Sequence, residues 1–267
     1  MEPVLQRRLV VIPIRDENPT LRRPVVTFAL LAALALVWIF VQGAALDPRA
    51  LAATICDYGL VPGEITGRAP LGQAVPIEAG LSCVVDAQPV NWLTPLTSMF
   101  LHGGWAHLLG NALFFWVFGN NVEDSMGRAR FLVFYLLCGL AADALQVLVS
   151  PSSPVPMVGA SGAIAGVLGG YLVLYPRVRV KVLLPLPFIW TVISVPAYAM
   201  LLWWIGLQLL SGLPQLVAVD REISSGVAFF AHIGGFAAGV LLVKLFESRD
   251  LVARRDEIRH RLHPGHA

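Results

Sequence analysis

Ser161 and His232 stand in separate apolar runs and are the residue types of a nucleophile and its general base. A serine hydroxyl attacks a carbonyl poorly until a neighbouring imidazole takes its proton, and an imidazole titrating near pH ~6.5 suits that task at neutrality. Ser161 lies in Gly159-Ala160-Ser161-Gly162, downstream of Pro154 and Pro156, which exclude helix upstream and predict a helix start at the serine. Glycines beside a nucleophile permit a tight turn, and a helix start directs free N–H groups toward a developing oxyanion. His232 lies in Ala231-His232-Ile233-Gly234-Gly235. His107 and Asn111, spaced i,i+4, project from one helix face and can aim two donors at one point. Gly162-xxx-Gly166 and Gly235-xxx-Gly239 give two helices small faces, the condition for bringing a serine and a histidine within hydrogen-bond reach. Each motif has a plainer reading: a small-Ser-Gly pattern serves helix packing, and a lone histidine in a span serves as a structural hydrogen-bonder or proton relay. The combination points to hydrolysis.

The elements that must position these residues are membrane helices. The chain has 267 residues, of which 57% are hydrophobic and only 13% charged, with a mean hydropathy of +0.71. Soluble domains carry about a quarter charged residues. Apolar runs at Val25–Ala45, Gly103–Asn120, Arg130–Ser150, Val158–Tyr175, about Thr191–Ser211 and Gly226–Phe246 approach the roughly 20 residues a span needs. They predict an all-α polytopic bundle of six spans. The first run is too long for a secretory signal and is read as an uncleaved helix.

Arginine and lysine set the orientation. They fall in residues 1–24, at Arg128 and Arg130, at Arg177, Arg179 and Lys181, and in the tail from Arg249 to Arg261. Segment 46–95 has only Arg49 and Arg68 against five acids, and segment 151–157 has no charge. Six spans with both termini cytoplasmic put every basic segment on one side. The expected organisation is a cytoplasmic flank over 1–24, a membrane domain over 25–246 with a large outer loop 46–95, and a charged cytoplasmic tail over 247–267. Loop 46–95 is long and apolar enough to fold onto the membrane surface. Val182–Ile189, interrupted by Pro185 and Pro187, reads as an interfacial approach to the fifth span.

This topology puts His107, Asn111, Ser161 and His232 at one depth, roughly 5–12 Å below the outer helix ends. Polar side chains in spans cost a few kcal/mol and are functional candidates. Asp143, in the third span, either orients His232 or serves as a structural hydrogen-bonder. Cys56 and Cys83 share the outer loop, where an oxidising exterior permits a disulfide; two unpaired thiols are the alternative. The net charge of +2 gives no reason to expect nucleic acid. Cysteine spacing suggests no metal site, no His-Glu-x-x-His helix or pair of span-embedded aspartates supports zinc or aspartyl chemistry, and no cofactor is expected. A transporter or channel would extend its polar groups toward the cytoplasmic half, and no internal repeat supports one.

The ordered set resembles the rhomboid intramembrane serine proteases. It comprises Phe100-Leu101-His102-Gly103-Gly104-Trp105-Ala106-His107-Leu108-Leu109-Gly110-Asn111, then Gly119, Val122-Glu123 and Gly127, then Gly159-Ala160-Ser161-Gly162, then Ala231-His232-Ile233-Gly234-Gly235. The resemblance covers about Val25 to Phe246. It implies a rhomboid-like six-helix bundle with a Ser161–His232 dyad, and an oxyanion held by the Ser161 N–H, His107 and Asn111. His102 would be structural, Gly159, Gly162 and Gly235 would shape the site, Glu123 would brace the cytoplasmic end of the second span, and the fifth span with loop Ser211–Ser225 would form a gate. The chain departs from many members at Trp92-Leu93, where they carry Trp-Arg. The implied function is an intramembrane endopeptidase acting on single-span or polytopic membrane proteins in the bilayer. The alternative is a catalytically silent rhomboid-like protein that binds membrane clients. An arginine-rich, Ala- and Gly-rich chain fits a GC-rich bacterium, so the expected location is the plasma membrane, as a multi-pass bacterial inner-membrane protein.

Overall fold

The computed structural model describes residues 12–78, 80–185, 190–217 and 228–262. A short strand β1 (Ile12–Asp16) precedes α1 (Val25–Leu36), which runs on as a π-helical turn over Val37–Val41. The segment 46–95 then forms α2 (Pro48–Tyr58), the turn α3 (Pro62–Ile65), a hairpin of β2 (Ala74–Glu78) and β3 (Leu81–Val84), and the turn α4 (Thr94–Thr97). Long helices follow: α5 (Trp105–Met126), α6 (Arg128–Val149) and α7 (Ser161–Leu174). Strands β4 (Arg179–Pro185) and β5 (Trp190–Pro196) separate α7 from α8 (Ala197–Val217), and α9 (Phe229–Phe246) and α10 (Arg249–Leu262) complete the described chain. By length and composition α6 and α9 are sufficient to cross a membrane, while Val25–Val41, Ser161–Leu174 and Ala197–Leu213 are shorter apolar helices.

Helix α7 is the centre of the bundle, with every residue from Gly162 to Tyr171 buried. Its glycines allow that position. A Cβ on Gly235 or Gly239 of α9 would run into the backbone carbonyl of Gly162 or Gly166, so the two helices touch backbone to backbone along the small faces read from the sequence. The aromatic core of Trp38, Phe115, Phe118, Phe131, Phe134, Tyr135, Tyr171 and Tyr175 fills the remaining space. Apolar side chains also cover the outside: Phe40, Leu148, Leu241 and Leu245 are each at least 75% exposed. That inverted profile suits a hydrocarbon solvent and would be an aggregation liability in water.

The expectation of an all-α chain needs correction, because two small antiparallel sheets are present. One is the β2–β3 hairpin of segment 46–95, and the other has the order β1-β4-β5. Val182–Pro185 is thus strand rather than an interfacial approach, residues 186–189 lie outside the described set, and the fifth long helix begins at Ala197, not near Thr191. The reason is local: Thr191, Val192, Ile193 and Val195 are β-branched, and Pro196 ends the strand. Arg179-Val180-Lys181-Val182 alternates exposed and buried, the period of a half-buried strand.

The described parts of the basic segments meet at one end of the bundle. β1 pairs with β4 in the register Ile12↔Leu183 to Asp16↔Val180. At the end of α5, Glu123 Oε1 accepts from the Val26 N–H at 3.0 Å, and its Oε2 accepts from the N–H and hydroxyl of Thr27, each at 2.8 Å. One carboxylate thereby satisfies free donors in the first turn of α1. Asp124 beside it accepts from the Leu21 N–H at 2.8 Å and pairs with Arg22 at 3.2 Å. The Ser248 N–H donates to the carbonyl of Ser125 at 2.8 Å, which ties the start of α10 to the same end.

At the opposite end, Cys56 on α2 and Cys83 on β3 form a disulfide with Cα atoms 5.4 Å apart. The segment 46–95 in turn holds the segment leading into α7. Leu60 and Met157 exchange backbone hydrogen bonds at 3.0 and 2.7 Å, and the Gly63 N–H donates to the carbonyl of Ser153 at 2.8 Å. Reduction, or the Cys56→Ser/Cys83→Ser pair, is expected to cost about 2–4 kcal/mol of stability, read as a lower Tm in detergent with and without reductant. The sequence departure at Trp92-Leu93 is surface-exposed, with the two side chains 70% and 63% accessible.

Candidate active site

Three helix N-termini open onto one cavity. Ser161 is the first residue of α7 and His232 the fourth of α9, while His107 and Asn111 are the third and seventh of α5. The cavity has a volume of about 670 Å³, and its walls include His107, Asn111, Gln146, Ser161, Trp204 and His232. That is the size of a ligand cleft, with a mainly apolar lining and a few convergent polar groups.

Ser161 Oγ lies 2.8 Å from Nε2 of His232. The approach depends on the contact between α7 and α9 made by Gly162, Gly166, Gly235 and Gly239. Gly159 has φ +130°, a conformation open to glycine and strained for other residues, and it turns the chain abruptly into α7. Its N–H is held by the Ser98 carbonyl at 2.9 Å. A Cβ on Gly159 would sit 2.8 Å from both Cε1 and Nε2 of His107, so only a glycine lets that ring lie against the turn preceding Ser161. The first backbone bond of α7 runs from the Ile164 N–H to the Ala160 carbonyl, which leaves the earlier N–H groups of that turn without a partner inside the helix.

Asn111 is 8% exposed, and its Nδ2 is buried with no hydrogen-bond partner among the described residues. Nδ1 of His107 accepts a long 3.4 Å bond from the Gly103 N–H, which leaves Nε2 as the nitrogen able to donate. His102 is fully buried; its backbone is clamped by the Gln42 side chain at 2.9 and 2.7 Å, and its ring centroid stands 5.1 Å from that of His107. It packs behind the site. Gly162 faces Ala142 of α6, where a Cβ would approach to 2.6 Å.

Two glutamines beside the site were not picked out from the sequence. Gln146 Oε1 on α6 accepts from the Ala231 N–H at 3.2 Å, satisfying a first-turn donor of α9 next to His232. Gln208 on α8 places its Oε1 2.8 Å from Nδ1 of His232, and Trp204, one turn earlier, stacks at an angle with a centroid distance of 5.7 Å from the imidazole. Asp143 is not at that position: its Oδ2 is buried without a partner among the described residues, and Nδ1 of His232 faces Gln208 instead. Residues 218–227, most of the loop expected to gate the site, lie outside the described set.

A Rhomboid domain model matches residues 89–249. The chain is 34% identical over 147 residues to RHOMBOID-like protein 4 of Arabidopsis thaliana, covering 55% of this chain and 32% of that protein. It is 43% identical over 81 residues to Rhomboid protease GluP of Bacillus subtilis, covering 30% of this chain and 15% of the relative. Rhomboid-like protease 3 of Toxoplasma gondii is 29% identical over 148 residues, 55% of this chain and 49% of its own. The chain therefore spans less than half the length of these curated relatives.

Proposed function

The chain belongs to the rhomboid family, and from that premise we propose that it is a serine endopeptidase that hydrolyses peptide bonds in or near the transmembrane helices of membrane-protein substrates. The observation that carries the reading is the 2.8 Å contact between Ser161 Oγ and His232 Nε2 on the wall of the cavity. In this mechanism Nε2 takes the hydroxyl proton as Oγ attacks the scissile carbonyl. The negative charge that develops on the carbonyl oxygen is met by the Ser161 N–H, Asn111 Nδ2 and His107 Nε2. The imidazolium then gives its proton to the leaving amine, and water hydrolyses the acyl-enzyme by the same route in reverse.

A six-span arrangement, with both termini on the cytoplasmic side, accounts for the two chemically different ends of the bundle. The disulfide end faces an oxidising exterior, and the arginine-rich end the cytoplasm. Helix α7 has 14 residues, about 21 Å against a hydrocarbon core of about 30 Å. Its N-terminus is then recessed below the outer surface, and the cavity supplies the water that hydrolysis needs. In a bacterium the host membrane is the inner one.

The deciding experiment incubates the purified protein and its Ser161→Ala variant with a panel of single-span proteins and maps the products by mass spectrometry. Wild type should give products cut within or beside the span, in segments rich in small or helix-weakening residues, and the variant should give none. Capture of intact clients without cleavage by either protein would identify a silent membrane-client binder.

A further inference from the structure

We propose that Gln208 is a positioning residue for the dyad, holding His232 in the tautomer that leaves Nε2 free to accept the serine proton. The inference rests on the Ser–His reading above and deepens it. A neutral imidazole carries one N–H, and which nitrogen bears it is decided by the partner of the other. Nδ1 of His232 faces Gln208 Oε1 at 2.8 Å, and an amide oxygen can only accept. With the amide oxygen in this position, the hydrogen bond requires the proton on Nδ1. Nε2 then presents its lone pair to the Ser161 hydroxyl 2.8 Å away, and the bond chain runs from Oγ–H to Nε2 and from Nδ1–H to Oε1. The opposite tautomer would set two lone pairs against each other at Oε1 and would require the amide to turn its NH2 toward the ring instead.

In the transition state Nδ1–H becomes part of an imidazolium, and its bond to the amide dipole strengthens as charge develops, so Gln208 favours the charged ring as well as its orientation. Trp204 fixes the ring plane from the same helix face, one turn away. Gln208 is only partly buried, on a helix whose outer face carries exposed Leu202, Trp203, Leu209 and Leu210. An amide here has no lipid-facing purpose. Because the acceptor rides on α8, the orientation of the dyad depends on α8 staying docked against α9.

The test compares wild type, Gln208→Leu and Gln208→Glu in steady-state cleavage of one substrate. Gln208→Leu should lower kcat by about 10–100-fold, less than the 10²–10⁴ that a whole general base supplies, with KM within about twofold of wild type. Gln208→Glu, which keeps an acceptor oxygen at the same reach, should recover most of that loss. Equal kcat in Gln208→Leu and wild type, or a loss that Gln208→Glu does not repair, overturns the assignment. A second measurement does not depend on any change at Gln208. In Ser161→Ala protein labelled with ¹⁵N-histidine, the His232 resonances at neutral pH should show a protonated Nδ1 and a bare Nε2; the reverse pattern overturns the proposal. A wild-type enzyme whose cleavage does not require Ser161 would instead remove the underlying protease reading, so the two failures are distinguishable.

Discussion

Ser161→Ala is expected to abolish peptide-bond cleavage, with a fall in kcat of more than about 10⁴-fold and no loss of the folded bundle. The size follows from the division of labour between the two side chains. Without Oγ no acyl-enzyme forms, and without Nε2 the hydroxyl stays a poor nucleophile, so His232→Ala should be nearly as severe. Residues that act as one unit are non-additive, and the double variant should be no slower than the worse single one. Folding is spared because Ser161 is the first residue of α7 and contributes no apolar packing, while the α7–α9 contact is made by the glycines. Rates in detergent and thermal unfolding on the same preparations check both halves of the prediction.

Asn111→Ala is expected to lower kcat by about 10²–10³-fold, the loss measured for single oxyanion donors in soluble serine proteases. Asn111 lines the cavity and its Nδ2 makes no hydrogen bond to another described residue, so truncation removes no protein–protein hydrogen bond at that atom. Truncation should therefore leave Tm little changed while activity falls, and KM should move little. A structural asparagine would behave oppositely, losing Tm and activity together. His107→Ala should also slow turnover. That variant additionally vacates the space over Gly159, where the ring now lies against the turn, so some of its loss should appear as lower stability.

Much of the site was legible because lipid makes polar residues conspicuous. Ser161, His232, His107 and Asn111 stand out in apolar runs, and the apolar runs together with charge placement led to the expectation that they share one depth. The glycine spacing on α7 and α9 foretold a backbone contact between these helices, and a Cβ at Gly235 or Gly239 would indeed strike the facing backbone. Glu123, read through family resemblance as a brace, is an acceptor for the first turn of α1. Gln208 and Gln146 escaped notice because they carry no charge and, unlike Asn111, belong to none of the motifs singled out in the sequence. The criterion that singled out the histidines, a polar side chain inside an apolar run, applies equally to both. The β1-β4-β5 sheet was hidden for a different reason. The second half of its central strand, Val182–Pro185, is apolar and ends in a proline, a pattern shared by strand and interfacial segment, and its partner Ile12–Asp16 lies more than 160 residues away in sequence. Only the alternation at Arg179–Val182 and the β-branched run after Trp190 pointed to it.

The most direct test of the Ser161–His232 dyad is labelling of the purified protein with a fluorophosphonate, followed by peptide mapping of the modified residue. The dyad predicts a single adduct on Ser161 that disappears in Ser161→Ala and is strongly reduced in His232→Ala. An adduct on another serine, or labelling of Ser161 that is undiminished without His232, would contradict it.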